Sequence, residues 1–169
     1  MILRKGQLQD TESFIRLLQQ VHADMPDKDW FFVDPGDHTR ARMLDGSMEL
    51  WIAEEDGRLA GALSVIYPGL EKSNLGYDLQ LPSDQLDQVV LMDSAAVHPD
   101  FRGMGLQKAL LSMAETELSR QPGRILLATV HPDNRYSLRN FQALGYTVAM
   151  RLNKYGSVRC ILRKDLTNT

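Results

Sequence analysis

The amino-terminal part of the chain combines a strand-like run with a helical repeat. Ile2 to Gln7 is typical of a short strand, and Asp10 is placed to cap the helix that follows. The apolar positions between Phe14 and Val21 recur at helical spacing, so this helix has one inward-facing stripe.

A segment rich in turn residues separates this helix from the first long strand. Residues 25–36 contain two prolines, several aspartates and the run Trp30-Phe31-Phe32, which predicts a loop or broken helix with aromatic content. Residues 38–45 predict a second short helix.

The middle of the chain has the pattern of a hairpin. Two strand-like runs, Glu49 to Glu54 and Arg58 to Tyr67, flank Asp56-Gly57, a turn dipeptide that tolerates positive φ. These runs predict two antiparallel strands. Pro68 to Leu86 contains two prolines and two glycines, which predicts an irregular excursion beside the functional site.

The last half of the chain alternates apolar runs with helical patterns. Two apolar runs, VVLMDSAAV after Gln88 and ILLATV, flank a turn and an amphipathic helix that ends near Arg120. This order predicts a right-handed crossover between parallel strands. Asp133 or Asn134 then begins a helix that Gly145 ends.

A final hairpin around Tyr155-Gly156 joins Tyr146 to Leu152 with Ser157 to Arg163. The complete order predicts an α/β fold in which helices cover both faces of a mixed sheet.

Composition limits the alternatives. The 169 residues, 43% hydrophobic and 24% charged, contain no repeat or linker, which predicts a single domain over residues 1–169. The net charge of −3 favours no interaction with nucleic acid or an anionic membrane surface. The sequence shows no signal peptide or membrane span, so we expect a cytoplasmic protein.

Cysteine and histidine usage excludes further classes of site. Cys160, the single cysteine, excludes an internal disulfide and a thiolate metal cluster, and it is expected to be a strand residue. The four histidines have no metal-ligand spacing, so we predict no metal site.

The sharpest chemical signal is the segment Arg102-Gly103-Met104-Gly105-Leu106-Gln107, between a strand end and a helix start. The first turn of a helix has amide hydrogens without intrahelical partners, which attract an anion such as a pyrophosphate. The two glycines leave those amides accessible, and the arginine adds a cation.

A tight strand-to-helix turn explains the same two glycines without any ligand. Other phosphate loops fit less well, because the segment lacks the Lys-Ser/Thr pair of a nucleoside triphosphate loop and the third glycine of a dinucleotide fold.

Two stretches, SAAVHPDFRGMGLQKALL and TVHPDNRYSLRNFQALGY, follow each other in the chain, and together they resemble the GNAT acetyltransferase superfamily. Residues 94–111, SAAVHPDFRGMGLQKALL, are similar to the acyl-CoA motif of the family, although Gln107 stands where Gly or Ala is usual. Residues 129–146, TVHPDNRYSLRNFQALGY, are similar to its Asn-x-x-Ser/Ala-x-x-x-Tyr/Phe-x-x-x-Gly-Phe/Tyr element. The resemblance covers nearly the whole chain and implies a sheet that splays between its two parallel strands.

The resemblance implies a set of acyl-CoA contacts. The backbone of Ala95, Ala96 and Val97 would hold the pantetheine arm, and the amides from Gly103 through Met104, Gly105 and Leu106 to Gln107 would hold the pyrophosphate. Asn134 would reach the pantetheine as well as capping a helix. For Ser137 a cofactor contact and helix packing both stay open, and for Phe141 packing is the preferred alternative to a cofactor contact.

Transfer to an amine needs a group that accepts a proton, because an amine of pKa about 10.4 is mostly protonated near neutrality. By strand alternation, Leu91, Asp93, Ala95 and Val97 would share one face, on which Asp93 is the single acid. Asp93 is therefore either a base or acceptor-binding group, or a structural carboxylate. A backbone amide near Ala95 is the family-like donor to the developing oxyanion.

Acetyl transfer also needs a group that protonates the departing thiolate. Phe141 stands where many relatives have a tyrosine acid, so Tyr155 or Tyr136 would have to substitute, although both are expected to be surface or packing residues. His98 and His131 follow strand ends and can act as bases, but solvent-exposed turn histidines are the preferred interpretation.

Two functions therefore compete. One is an N-acetyltransferase that moves an acetyl group from acetyl-CoA to a primary amine of a small molecule or protein. The other is a non-catalytic acyl-CoA-binding sensor. Loops 25–47 and 68–87 would set the acceptor, and the aromatics of the first loop either line its pocket or anchor the loop. The resemblance also implies pairing of two copies through the C-terminal strands.

Overall fold

The computed structural model describes residues 1–167, which form one seven-stranded mixed sheet with helices on both faces. The strands are β1 Ile2–Lys5, β2 Met48–Glu55, β3 Arg58–Ile66, β4 Val89–Val97, β5 Ile125–Val130, β6 Thr147–Lys154 and β7 Ser157–Asp165. The α-helices are α1 Thr11–Asp24, α2 Gly36–Asp45, α3 Ser83–Leu86, α4 Leu106–Leu118 and α5 Arg135–Ala143. Single 3-10 turns occupy Leu8–Asp10, Lys28–Trp30 and Pro99–Phe101.

The strand order is β1-β2-β3-β4-β5-β7-β6. Only β4 and β5 run parallel, with α4 as the crossover between them, and every other neighbouring pair is antiparallel. The predicted mixed sheet, crossover and two hairpins are therefore confirmed. None of the helices in residues 1–167 is both long and apolar enough to cross a membrane.

The sheet separates two cores. The stripe of α1, from Phe14 to Val21, packs on one face, and α4 and α5 pack on the other through residues that include Leu110 and Phe141. Cys160 is buried in β7, as expected. The long apolar strands β2 to β5 are buried on both faces, which is typical of strands at the centre of such a sheet.

The local signals act largely as predicted. Asp56 and Gly57 adopt the positive φ angles of 50° and 74° that a tight hairpin turn needs, and Gly145 has a φ of 93° just after α5. Asp10 is the N-cap residue of α1, as predicted, but its side chain makes no capping hydrogen bond to that helix. Its carboxylate accepts hydrogen bonds from Arg4 at 2.8 and 2.9 Å and from the Gln7 amide, because the guanidinium of β1 binds both oxygens.

Candidate active site

A gap in the sheet forms the centre of the site. β4 and β5 pair only from Val89 opposite Ile125 to Leu91 opposite Leu127, and the two strands separate beyond these three residue pairs. From Met92 onward, β4 pairs with β3 alone among the described strands. One edge of β4 therefore faces a cavity of about 360 Å³, a volume within the range of small-molecule sites.

Asp93 sits at a β-bulge where this gap opens. Ser64 pairs with Ser94 while Val65 pairs with Met92, so Asp93 is an extra residue on β4. The prediction that Asp93 shares one face with Leu91, Ala95 and Val97 is wrong. An inserted residue reverses the alternation, so Leu91 packs in the core under α1, whereas Ala95 and Val97 pack toward α4.

The Asp93 carboxylate is held by two hydroxyl groups. Ser64 Oγ and Ser94 Oγ each donate to Oδ2 at 3.2 Å, and the Ser94 amide donates to Ser64 Oγ at 3.1 Å. Burial, together with the negative charge of Asp34, raises the pKa of Asp93 to about 6, although both hydroxyl groups act in the opposite sense. The group is therefore ionised near neutrality and is more basic than an ordinary carboxylate.

The predicted phosphate loop has the geometry of an anion site. Gly103 and Gly105 have φ angles of 81° and 72°, and Gly105 is the N-cap of α4 without a side-chain capping bond. A Cβ atom at either glycine would meet no atom within 4 Å, so the loop is open on that side. The first-turn amides of α4 are thus available to an anion.

The other residues of this loop have different roles. Arg102 pairs with Asp24 at the end of α1, with 2.7 Å between its Nη1 and Oδ2, and both residues line the cavity. Met104 is exposed and Leu106 is buried in the core, and neither of them lines the cavity, nor does Gly105.

Gln107 connects α4 with α5. Its buried side chain donates to Ser137 Oγ at 2.8 Å and accepts from Asn140 Nδ2 at 2.7 Å. Asn134 caps α5, since its Oδ1 accepts from the Ser137 amide at 3.4 Å. Phe141 is buried edge-on against Tyr146, with ring centroids 4.9 Å apart, and also lines the cavity. Ser137 and Phe141 thus make contacts within the protein and also line the cavity.

Aromatic residues form part of the cavity wall. Trp30, Phe31 and Phe32 line it from the segment between α1 and α2. Phe32 stacks on Tyr155, with centroids 4.6 Å apart. Partial burial and the charge of Asp93 raise the pKa of Tyr155 to about 12, so its phenol stays protonated at physiological pH.

The two histidines at the strand ends differ in position. His131 is only 6% exposed, lines the cavity and stacks on Trp30 at 6.3 Å, so the expectation of a solvent-exposed turn residue is wrong for it. Its Nδ1 accepts from the Asp133 amide at 3.1 Å, which places the proton of a neutral ring on Nε2. His98 contacts Gln20 and the Asp100 amide and does not line the cavity.

Sequence reasoning missed Arg159. This β7 residue lines the cavity although only 3% of it is exposed, and its Nη1 has no hydrogen-bond partner among residues 1–167. The one available signal was a charged residue within the apolar C-terminal strand, between Val158 and Cys160.

The cavity brings together most of the residues predicted from the sequence. Those that line it are Asp93, Ala95, Val97, Arg102, Gly103, Gln107, Asn134, Ser137 and Phe141. Ala96 points into the core under α1, because it follows Ala95 on the strand. In the part of the chain that the structure describes, no group of three His, Cys, Asp or Glu residues is arranged to hold a metal ion.

Comparisons with known proteins agree with this geometry. The model of the "Acetyltransferase (GNAT) family" matches residues 15–146. No curated protein matches the sequence.

Several solved structures have the same fold at low sequence identity. The structure of yncA from Salmonella typhimurium with its cofactor acetyl-CoA is 22% identical, with a TM-score of 0.74 over 100% of this chain and 95% of that one. A ribosomal-protein-alanine N-acetyltransferase from Brucella melitensis is 18% identical, with a TM-score of 0.72 over 98% of this chain and 100% of that one. A phosphinothricin acetyltransferase from Sinorhizobium meliloti in complex with acetyl-CoA is 17% identical, with a TM-score of 0.70 over 98% of this chain and 88% of that one.

Proposed function

Because the chain belongs to the GNAT acetyltransferase family, we propose that it transfers an acetyl group from acetyl-CoA to a primary amine by direct attack on the thioester. The observation that carries this proposal is the continuity of one cavity with both the open edge of β4 and the α4 loop. Two solved relatives of the same fold contain acetyl-CoA, which supports the choice of donor.

The residues around the gap fit coenzyme A at both ends. The free edge of β4 offers backbone groups to an extended amide-containing chain, as a neighbouring strand would. The uncapped first turn of α4 offers amides to a diphosphate, and the open space beside Gly103 and Gly105 gives it room. When bound, acetyl-CoA would supply the acetyl group as an activated thioester.

Asp93 is the group that we assign to proton acceptance. A pKa of about 6 leaves it ionised at neutral pH while it is a stronger base than an ordinary aspartate. The Ser64 and Ser94 hydroxyl groups hold its carboxylate in place. As the acceptor nitrogen forms its bond to the carbonyl carbon, the proton passes to Asp93 directly or through one water molecule.

The remaining steps need a hydrogen-bond donor to the carbonyl oxygen and a proton donor to the departing sulfur. A backbone amide of β4 near Ala95 donates to the carbonyl oxygen on which negative charge develops. The carbon–sulfur bond then breaks, and Tyr155 or water returns a proton to the sulfur. Phe141 has no proton to give, and a thiolate of ordinary pKa near 8.5 leaves acceptably without an acid.

A non-catalytic acyl-CoA sensor is the second candidate, and the presence of Phe141 favours it. Calorimetry with acetyl-CoA, followed by detection of free thiol during incubation with a panel of primary amines, separates the two. Binding with amine-dependent thiol release supports the transferase, and binding without release from any amine supports the sensor. Absence of binding to coenzyme A and its thioesters would refute both.

A further inference from the structure

Arg159 is a buried cation that forms no ion pair with the described residues, although the charge of Asp29 acts on it from beyond ion-pair distance. It lines the cavity, it is 3% exposed, and its Nη1 has no hydrogen-bond partner in the described chain. None of the ion pairs formed by residues 1–167 includes it. Burial lowers the pKa of its guanidinium, yet arginine stays protonated in proteins. An uncompensated buried charge is costly, so a ligand anion would stabilise this site.

The coenzyme diphosphate is not the natural partner of Arg159. Along β7, Ile161 packs in the core under α1, whereas Cys160 and Leu162 pack under α4. Strand alternation therefore places Arg159 on the α1 face. The Gly103–Gln107 loop begins α4, which lies on the opposite face of the sheet. The cation thus belongs to the acceptor end of the cavity.

The surroundings of Arg159 describe the rest of the acceptor. Asp93 and Asp34 line the same cavity and present negative charge to an incoming ammonium group. Trp30, Phe31 and Phe32 supply apolar surface to the same cavity. A cavity with separate negative and positive groups and an aromatic wall suits a small zwitterion that has an apolar side chain.

We propose that the acceptor is a small amino acid whose carboxylate binds Arg159 while its amine lies near Asp93. This inference rests on the proposed acetyl transfer and adds the substrate class to it. A planar guanidinium binds a carboxylate through two parallel hydrogen bonds, which fixes the orientation of the amine as well as the affinity.

A carboxylate fits this site better than a phosphate monoester. One guanidinium balances the single charge of a carboxylate, whereas a phosphate monoester has a charge of about −1.5 to −2 near neutral pH. The excess charge would remain in a cavity that already contains Asp93 and Asp34. O-phosphoethanolamine is therefore the competing probe, and it should be the poorer acceptor.

The test compares acceptors that differ only at the carboxylate. The standard L-amino acids are assayed for thiol release against their carboxamides, with kcat/KM corrected for the fraction of neutral amine. We expect kcat/KM to be about 100-fold higher for the best amino acid than for its amide, because the amide leaves the guanidinium unpaired. Arg159→Met should remove this preference without changing the Kd for acetyl-CoA. Arg159→Lys should retain part of the preference for the acid, since lysine keeps the positive charge but not the two parallel N–H donors of the guanidinium.

A binding experiment tests the same inference without turnover. Calorimetry in the presence of coenzyme A compares N-acetyl-L-amino acids with N-acetyl-L-amino acid amides, which are the matched transfer products. Tighter binding of the acids to the wild type, lost in Arg159→Met, supports the inference even if the variant has a changed melting temperature. Equal binding of acids and amides by the wild type would overturn it. With equal binding of acids and amides, the proposed function still holds if acetyl-CoA binds and amines without a carboxylate are acetylated. Absence of acetyl-CoA binding would instead refute the proposed function.

Discussion

Asp93 is the residue whose replacement tests both the base and its raised pKa. In Asp93→Asn, the side chain keeps its size and can still accept hydrogen bonds from Ser64 and Ser94, but it cannot ionise. Removal of the proton acceptor should lower kcat/KM by about 10²-fold to 10⁴-fold, the usual contribution of general base catalysis. The Kd for acetyl-CoA should not change.

The same substitution should stabilise the protein at neutral pH. The ordinary pKa of 3.8 rises to about 6 in the folded protein, so the folded state holds this proton more tightly than the unfolded chain does. The resulting contribution to stability is present below pH 3.8 and is lost as the pH rises through about 6. At about 1.36 kcal/mol for each pH unit, the difference corresponds to at most about 3 kcal/mol.

The assay is thermal unfolding of wild type and Asp93→Asn at a series of pH values between about 4.5 and 8, alongside turnover at each pH. We expect the variant to gain relative stability across this range, by up to about 6 to 12 °C in melting temperature at the upper end. Wild-type kcat/KM should rise with pH through about 6 as Asp93 ionises. Asp84→Asn, in the exposed first turn of α3, is the matched control and should show neither effect.

Two results would refute this reasoning. A difference in melting temperature that is constant with pH would show that Asp93 titrates as an ordinary carboxylate. A kcat/KM in the variant within about threefold of wild type would exclude Asp93 as the base, since loss of a base has a far larger effect.

Three further substitutions, with Gly123→Ala as the control for one of them, test the neighbouring parts of the site. Gly105→Ala strains a left-handed residue by about 1 to 2 kcal/mol and should weaken acetyl-CoA binding in calorimetry. Gly123→Ala introduces comparable strain in a turn outside the cavity and should leave the Kd for acetyl-CoA unchanged. The same Kd in both variants would contradict the proposal that the loop before α4 binds the coenzyme. Gln107→Ala leaves the polar side chains of α5 that bind Gln107 unpaired. It should lower the free energy of unfolding by about 1 to 3 kcal/mol in urea titrations. An unchanged free energy of unfolding would show that these hydrogen bonds do not stabilise the contact between α4 and α5. Tyr155→Phe keeps the stack on Phe32 and separates the two proposed proton donors. A kcat about tenfold or more lower at unchanged acetyl-CoA affinity assigns the proton transfer to Tyr155, and an unchanged kcat assigns it to water.

The sequence predicts the fold well because the determining signals are local. Asp56-Gly57 specifies a tight hairpin through its own backbone preferences, and the apolar runs on either side of α4 predict the parallel crossover from their length and order. Gly105 likewise marks the start of α4 through its left-handed conformation. Each of these features depends on neighbouring residues.

The site is less predictable because its decisive features depend on residues far apart in the chain. The bulge at Asp93 is a property of the register between β3 and β4, where Ser64 pairs with Ser94, and alternation along β4 alone gives the wrong face. Arg159 is significant only because, in the folded protein, its buried Nη1 has no hydrogen-bond partner among residues 1–167. The burial of His131 depends on Trp30, which the chain brings from about a hundred residues away.

The short pairing between β4 and β5 divides the sheet into two blocks, β1 to β4 and β5 to β7, joined through only three residue pairs. This seam should be the line along which amide hydrogens exchange fastest within the sheet. A coenzyme bound between β4 and β5 would supply hydrogen-bond partners to the unpaired part of β4. At a coenzyme concentration a hundred times its Kd, binding would stabilise the protein by about 2.7 kcal/mol. The resistance of the protein to proteolysis would then increase with the concentration of that coenzyme.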